Sequence, residues 1–255
     1  MRVIVTLSGG KASAWCAKWA FEHYAKSDII LYFNDTHWEH PDLYRFLTDL
    51  EKHFNHPITR DSDERSPEDL FYDKRALANN RMPFCSAVLK AERLQKYYQD
   101  GDILIFGIGL NEQHRAVRLK DVYYHTSQKS GKACTLRFPL IENPVTDETI
   151  QQFLTEAGVE IPLLYRLGFK HNNCSGGCVR ATIGHWTKLY HMLPEVYAER
   201  ERVEMEVSEF LGRPSTIMPE ISLKTLRERL ESQQSFNFEE PTDVIECIGI
   251  CDLQE

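Results

Sequence analysis

The sequence predicts an α/β protein: a parallel sheet flanked by helices, followed by a mainly helical C-terminal region. Three observations point there. Short β-branched runs at Arg2–Leu7, Ile29–Phe33 and Asp102–Phe106 alternate with stretches whose apolar residues recur at three and four. The first and third of these runs stop at glycine loops, Ser8-Gly9-Gly10-Lys11 and Gly107-Ile108-Gly109. After Pro139 the strand-like runs cease and helical periodicity takes over. Strands alternating with helices to about residue 110 imply βαβ units with right-handed crossovers. In such sheets, ligands collect beyond the carboxyl ends of the strands.

Each element has its own signal. After Arg2–Leu7, a helix follows on Ala14, Trp15, Ala17, Lys18 and Phe21. Ile29–Phe33 ends at Asn34-Asp35-Thr36, and Pro41 opens a helix carrying Leu43, Phe46, Leu47, Leu50 and Phe54. Pro57–Arg60 is a weaker third strand. Ser66-Pro67-Glu68-Asp69 starts a helix well, with a capping serine, a first-turn proline and acids at the positive end. A further helix is expected over Ala87–Tyr98 and another over Asp147–Ala157. The loop Gly168–Gly177 precedes a helix around Val179–Leu193. Pro194–Leu211 reads as amphipathic, with Val196, Val203, Val207, Phe210 and Leu211 inward and the charged run Ala198–Glu206 solvated. Leu223, Leu226 and Leu230 mark a last helix, and Gln233–Thr242 a weakly ordered linker to a tail bearing Cys247 and Cys251. This divides the chain into an α/β domain over 1–140 and a helical region over 141–255 that carries the cysteine pairs.

The 255 residues suffice to bury a sizeable core, and 42% apolar with 27% charged residues excludes disordered and fibrous classes. No apolar run reaches the roughly 18–20 residues of a membrane span. The N-terminus lacks the apolar segment of a signal peptide, so a cytoplasmic location without membrane contact is expected. A net charge of −8 argues against broad adhesion to nucleic acid or acidic membrane but leaves room for a local basic groove. Of seven cysteines, Cys174/Cys178 and Cys247/Cys251 form C-x3-C pairs, which suggest metal or redox chemistry in a reducing compartment. Cys16 reads as core, and Cys134 has no assignment. His171, His185 and His191 read as packing or surface residues.

Ser8-Gly9-Gly10-Lys11-Ala12-Ser13 follows a strand and opens a helix. Glycines admit a phosphate close to the backbone, the helix N-terminus offers positive partial charge, Ser8 and Ser13 offer hydroxyls, and Lys11 a point charge. Neither a Walker loop nor the dinucleotide fingerprint is present. A plain strand–helix turn is the alternative.

The loop resembles the SGGKDS motif of the adenine nucleotide α-hydrolase group, the PP-loop ATP pyrophosphatases and sulfonucleotide reductases. Asn34–Pro41 is similar to that group's D-T-G-x-E-x-P segment, Pro83–Lys90 to its C-x-x-x-L-K block, and Gly107–Arg115 to its glycine-plus-arginine loop. Tyr165–Cys178 resembles the Y-x-x-G-[FY]…C-x-x-C block of phosphoadenosine phosphosulfate (PAPS) reductases. Departures are Ala12 for Asp, His37 for Gly, and three residues rather than two within the cysteine pair. The arginine of the fourth motif is either Arg115 or Arg118.

The resemblance implies a Rossmann-like, adenine nucleotide α-hydrolase-like fold that takes ATP with Mg²⁺. Ser8, Gly9, Gly10, Lys11 and Ser13 would hold phosphates. Asp35, Thr36, Glu39 and Gly107 would line the nucleotide or Mg²⁺ position, unless Asp35 merely caps a helix. Lys11, Lys90 and Arg115 would act at the reacting phosphates; surface ion pairs are the alternative for the last two, and His114 is a candidate proton carrier. Cys85, Cys174 and Cys178, with Cys247 or Cys251, would ligate a [4Fe-4S] cluster; Zn²⁺ or free thiols are alternatives. The implied activity is an ATP pyrophosphatase that adenylates a nucleic-acid acceptor for sulfur incorporation, as in DNA phosphorothioation or tRNA thiolation. Such a system includes a cysteine desulfurase-type sulfur donor and other modification subunits. The alternatives are a sulfonucleotide reductase, whose tail motif Glu246–Cys251 only partly echoes, and an inactive nucleotide-binding partner, consistent with Ala12.

Overall fold

A computed structural model of the chain describes residues 1–232. Five strands form one parallel sheet: β1 (Val3–Leu7), β2 (Ile29–Asp35), β3 (Ile58–Ser62), β4 (Asp102–Phe106) and β5 (Cys134–Arg137), in the order β3-β2-β1-β4-β5. β1 is central, Val3 pairing with Ile29 on one side and Ile103 on the other. Covered on both faces, its residues Val3, Ile4 and Val5 are fully buried, which explains the continuous apolar run. The chain winds outward through β2 and β3, then returns to lay β4 against the free edge of β1. The loops leaving β1 and β4 therefore part on opposite sides, and the crevice opens between them.

Successive β1 side chains point to opposite faces. Val3, Val5 and Leu7 meet α1 (Lys11–His23), α2 (Pro41–Phe54) and the helix Asp147–Glu156, in a cluster that includes Trp15, Trp19, Phe46, Phe153 and Leu154. Ile4 faces the other layer with Tyr32, Leu94, Phe106, Leu119 and Tyr123, supplied by residues 84–97 and the helix Gln113–Ser130. A third cluster lies around Trp38, Phe71, Trp186, Tyr197, Val203 and Leu226. It joins α3 (Pro67–Lys74) to the helices Ile183–Met192, Pro194–Leu211 and Leu223–Glu231. The expected caps are present: Pro41 enters the first turn of α2, and Ser66 and Asp69 form a reciprocal capping box on α3.

Several expectations are corrected. β2 extends past Phe33 because Asn34 and Asp35 pair with Asp61 and Ser62, so β3 runs further than Pro57–Arg60. The helix expected from Val179 begins at Ile183, where the Thr182 side chain caps it. The Ala198–Glu206 run is solvated only in part: Ala198, Glu199, Met205 and Glu206 are exposed, but Arg200, Glu201 and Glu204 are buried at 4%, 7% and 2% exposure. Each has a structural reason: Glu204 accepts the Ile217 and Leu223 amides, Glu201 pairs with Arg227, and Arg200 lies on Trp38. Phe210, expected inward, is exposed beside Tyr72 and Arg75. Cys16 is buried, as expected. The linker Gln233–Thr242 and the tail cysteines Cys247 and Cys251 lie outside the described residues. Among the described residues no helix is long and apolar enough to cross a membrane.

Candidate functional site

The loop after β1 is held by its own side chains. Ser13 Oγ accepts the Ser8 amide at 3.1 Å and donates to the Gly10 carbonyl at 2.9 Å. The Ser8 hydroxyl sits 3.3 Å from Ser13 Oγ. Both hydroxyls thus shape the loop, and Ser13 is buried. Gly9 has φ +76°, and a Cβ there would fall 2.5 Å from Leu43. Both facts demand glycine. At Gly10 a Cβ would meet the Tyr165 hydroxyl at 2.8 Å, and at Gly107 it would meet the Ser13 amide at 2.9 Å. Gly107 therefore lets the end of β4 touch the first turn of α1. That turn has no acidic residue and no side-chain cap, so its amides retain their affinity for an anion. Lys11 pairs with Asp147 and lies 5.4 Å from the centre of the Tyr165 ring.

The loop after β2 carries the remaining expected residues. Asp35 Oδ1 accepts from the Tyr44 hydroxyl and the His37 amide, both at 2.8 Å. Burial and this carboxylate push the Tyr44 phenol well up. His37 has φ +60°, in the left-handed region, where the resembling motif has glycine. Glu39 lies beneath this loop with a fully buried side chain. Its carboxylate accepts the Thr36 hydroxyl at 3.1 Å, Lys90 Nζ at 3.3 Å and the Cys174 amide at 2.7 Å. Lys90 belongs to a π-helical turn, Ala87–Ala91, inside the helical stretch 84–97. Such turns re-aim side chains and recur at functional sites. Arg115, at the start of the helix Gln113–Ser130, pairs with Glu112.

Cys85, Cys174 and Cys178 converge, although Cys85 is separated from the other two by nearly a hundred residues. They line one cleft with Thr36, Trp38, Ser86 and Lys90. The neighbouring Cys178 thiol, burial and the charge of Glu39 push the Cys174 thiol well up against the opposing pull of Lys90. Cys174 and Ser175 take φ values of +50° and +56°, a strained pair for residues with side chains. The Ser175 hydroxyl holds the bend by donating to the Trp38 carbonyl at 3.0 Å. Among the described residues no three His, Cys, Asp or Glu side chains are grouped to hold a metal ion. Cys247, the remaining expected ligand, lies outside the described residues.

Three further residues have tasks that the sequence does not reveal. Asn172, buried, donates to the Gly9 carbonyl at 2.9 Å and ties the cysteine loop to the glycine loop. Arg200 places its guanidinium 3.7 Å from the centre of the Trp38 ring, and burial lowers its pKa. Gly177 faces it with no room for a Cβ, so the cysteine loop rests directly on a buried cation. The Ser86 hydroxyl, buried on the cleft wall, has no hydrogen-bond partner among the described residues. Tyr165 and Asn172 fall in the block similar to reductases, but only contact with Gly9 and Gly10 reveals their task.

The arrangement is a helix start with no acidic residue or side-chain cap at the sheet's switch point, with buried cations and thiols beside it. A family model described as phosphoadenosine phosphosulfate reductase domain matches residues 2–183. No curated protein matches the sequence.

Proposed function

We propose, from the premise that this chain belongs to the phosphoadenosine phosphosulfate reductase domain family, that it is an ATP pyrophosphatase activating a nucleic-acid acceptor for sulfur incorporation. The supporting observation is the physical link between two loops. Asn172 grips Gly9, while Glu39 binds both Lys90 and the Cys174 amide, so the phosphate-type loop and the thiol cleft share one framework.

In this reading an oxygen of the acceptor attacks the α-phosphorus of ATP. The bond to the bridging oxygen breaks and pyrophosphate leaves, so the acceptor becomes adenylated. A sulfur nucleophile from a desulfurase-type donor then displaces AMP. The α1 amides and Lys11 hold the outer phosphates, Lys11 exchanging exposed Asp147 for the ligand. Lys90 and Arg115 neutralise charge that develops around the α-phosphorus, an electrostatic effect made larger by burial. In-line placement of the acceptor supplies the rest. Asp35 and Thr36 would hold Mg²⁺, whose charge would offset that of the leaving pyrophosphate. Cys85, Cys174 and Cys178, with Cys247 or Cys251 as a fourth thiolate, would hold an iron–sulfur cluster rather than a hard cation, and the cluster would supply sulfur or redox chemistry.

The family's name supports a second reading, reduction of a sulfated adenosine nucleotide to sulfite. Its nucleophile would come from the tail. The two are separated by anaerobic incubation with ATP and duplex DNA or tRNA, and in parallel with adenylyl sulfate or its 3′-phosphate plus thioredoxin. Pyrophosphate release that is lost in Lys11→Ala supports the pyrophosphatase; sulfite release supports the reductase. Neither product would mean a nucleotide-binding partner without chemistry of its own.

A further inference from the structure

We infer that Asn172 is a positioning residue that couples the glycine loop to the cysteine turn, so that a nucleotide bound at the first controls access to the thiols of the second. This rests on the reading that Ser8–Ser13 holds the phosphates of ATP. Asn172 is buried and donates to the Gly9 carbonyl at 2.9 Å. That carbonyl and the Gly10 amide belong to one planar peptide unit and point to opposite edges of it. The Gly10 amide makes only a long 3.4 Å contact with the Ser8 hydroxyl, at the residue that precedes α1. An anion taking this amide polarises the peptide and makes the Gly9 carbonyl a stronger acceptor for Asn172. Phosphate and Asn172 therefore reinforce each other across a single peptide bond.

The other end of the linkage is strained. Two residues beyond Asn172, Cys174, Ser175 and Gly176 follow one another at φ +50°, +56° and +86°. Two of these carry side chains, and such a turn persists only while its surroundings hold it. Three anchors do so: Asn172 on Gly9, the Cys174 amide on Glu39 at 2.7 Å, and the Ser175 hydroxyl on the Trp38 carbonyl at 3.0 Å. Of the three, Asn172 alone reaches the glycine loop. A strained turn with one ligand-sensitive anchor has a held and a relaxed arrangement, and ATP favours the held one. Cys174 lies in this turn and Cys178 just after it, both half-buried on the cleft. Access to them is then greater before nucleotide binds than after, which orders any loading of the thiol cleft ahead of ATP. By linkage, relaxing the turn weakens ATP by the same factor.

The test is the rate of iodoacetamide labelling at each cysteine, read by mass spectrometry on the reduced full chain after chelation of metal, with and without saturating ATP. ATP should slow labelling of Cys174 and Cys178 roughly fivefold or more and leave Cys134, on the edge strand β5, unchanged. Asn172→Leu keeps the size of the side chain without its donor. It should label faster in the absence of nucleotide, lose most of the ATP effect, and bind ATP more weakly by the factor lost. Ser175→Ala removes an anchor that does not reach the glycine loop, so it should speed labelling with and without ATP and preserve their ratio. Should melting show Asn172→Leu unfolded, Asn172→Asp, of the same outline and lacking the amide donor, carries the same expectation. An equal ATP effect in the unaltered chain and the Asn172 variant would mean direct shielding by the nucleotide and overturns the inference. Calorimetric ATP binding without any change in labelling overturns it too. Coupled labelling without pyrophosphate release would refute the proposed chemistry alone, and pyrophosphate release without coupling would refute the role of Asn172 alone. No ATP binding at all would refute both.

Discussion

The Glu39–Lys90 pair permits a quantitative test of how the site is built. The Glu39 side chain is fully buried and that of Lys90 is 11% exposed, so neither ion has bulk water to fall back on. Glu39→Gln keeps the shape, and with it an acceptor for the Cys174 amide, but leaves the Lys90 ammonium facing a neutral amide. Removing one member of a buried pair costs about 3–5 kcal/mol, because the remaining charge stays desolvated. For a chain of this size, each kcal/mol lowers Tm by about 2–4 °C, so a fall of about 10 °C is expected. Lys90→Met should cost a similar amount. The double variant removes both charges and should lose no more than either single variant, so the coupling is at least about 3–5 kcal/mol. Denaturant unfolding of the four proteins measures this cycle directly. Single losses below about 1 kcal/mol that simply add in the double variant would refute the claim that this pair is a buried electrostatic strut.

Three other outcomes follow from particular contacts. Burial pushes the Glu204 carboxyl from its ordinary 4.5 up to about 7, against the two amides that favour its charged form. A raised carboxyl favours the fold while protonated, so its contribution is complete below about pH 4.5 and is lost as pH rises through 7. Tm should therefore decline between pH 5 and 8 by an amount equivalent to about 3 kcal/mol, and Glu204→Gln should flatten that slope whatever its absolute Tm; equal slopes would contradict it. Gly107→Ala forces a Cβ to within 2.9 Å of the Ser13 amide, so unfolding measurements should show a loss of about 1–3 kcal/mol and calorimetry a weaker ATP affinity. Cys174→Ala should remove iron, acid-labile sulfide and visible absorbance from anaerobically purified protein; full retention of all three would defeat the cluster.

The sheet and the glycine loop were legible because short β-branched runs stop at glycines, a local signal that burial on both faces enforces. β5 was not, since CTLR is a four-residue edge strand without a distinctive apolar run. The helix Gln113–Ser130 escaped as well, because three buried side chains in eighteen positions leave almost no periodicity. Within the site, the loops could be seen in the sequence but their couplings could not. Asn172 reaches Gly9 across 163 positions, and Arg200 reaches Trp38 from a helix whose charges look like solvated surface. Glu204 misleads in the same way: a carboxylate that binds two backbone amides belongs inside, but hydropathy counts it as outside. Convergence of Cys85 with Cys174 and Cys178 was visible only through resemblance, since no spacing rule joins them.

Hydrogen–deuterium exchange with and without saturating ATP examines the central claim where it is made. The account predicts slowed exchange at the start of α1, over residues 8–14, together with 165–174, which Tyr165 and Asn172 couple to that loop. Protection confined to other segments, or no change at saturation, would show that the first loop of this sheet does not hold the nucleotide.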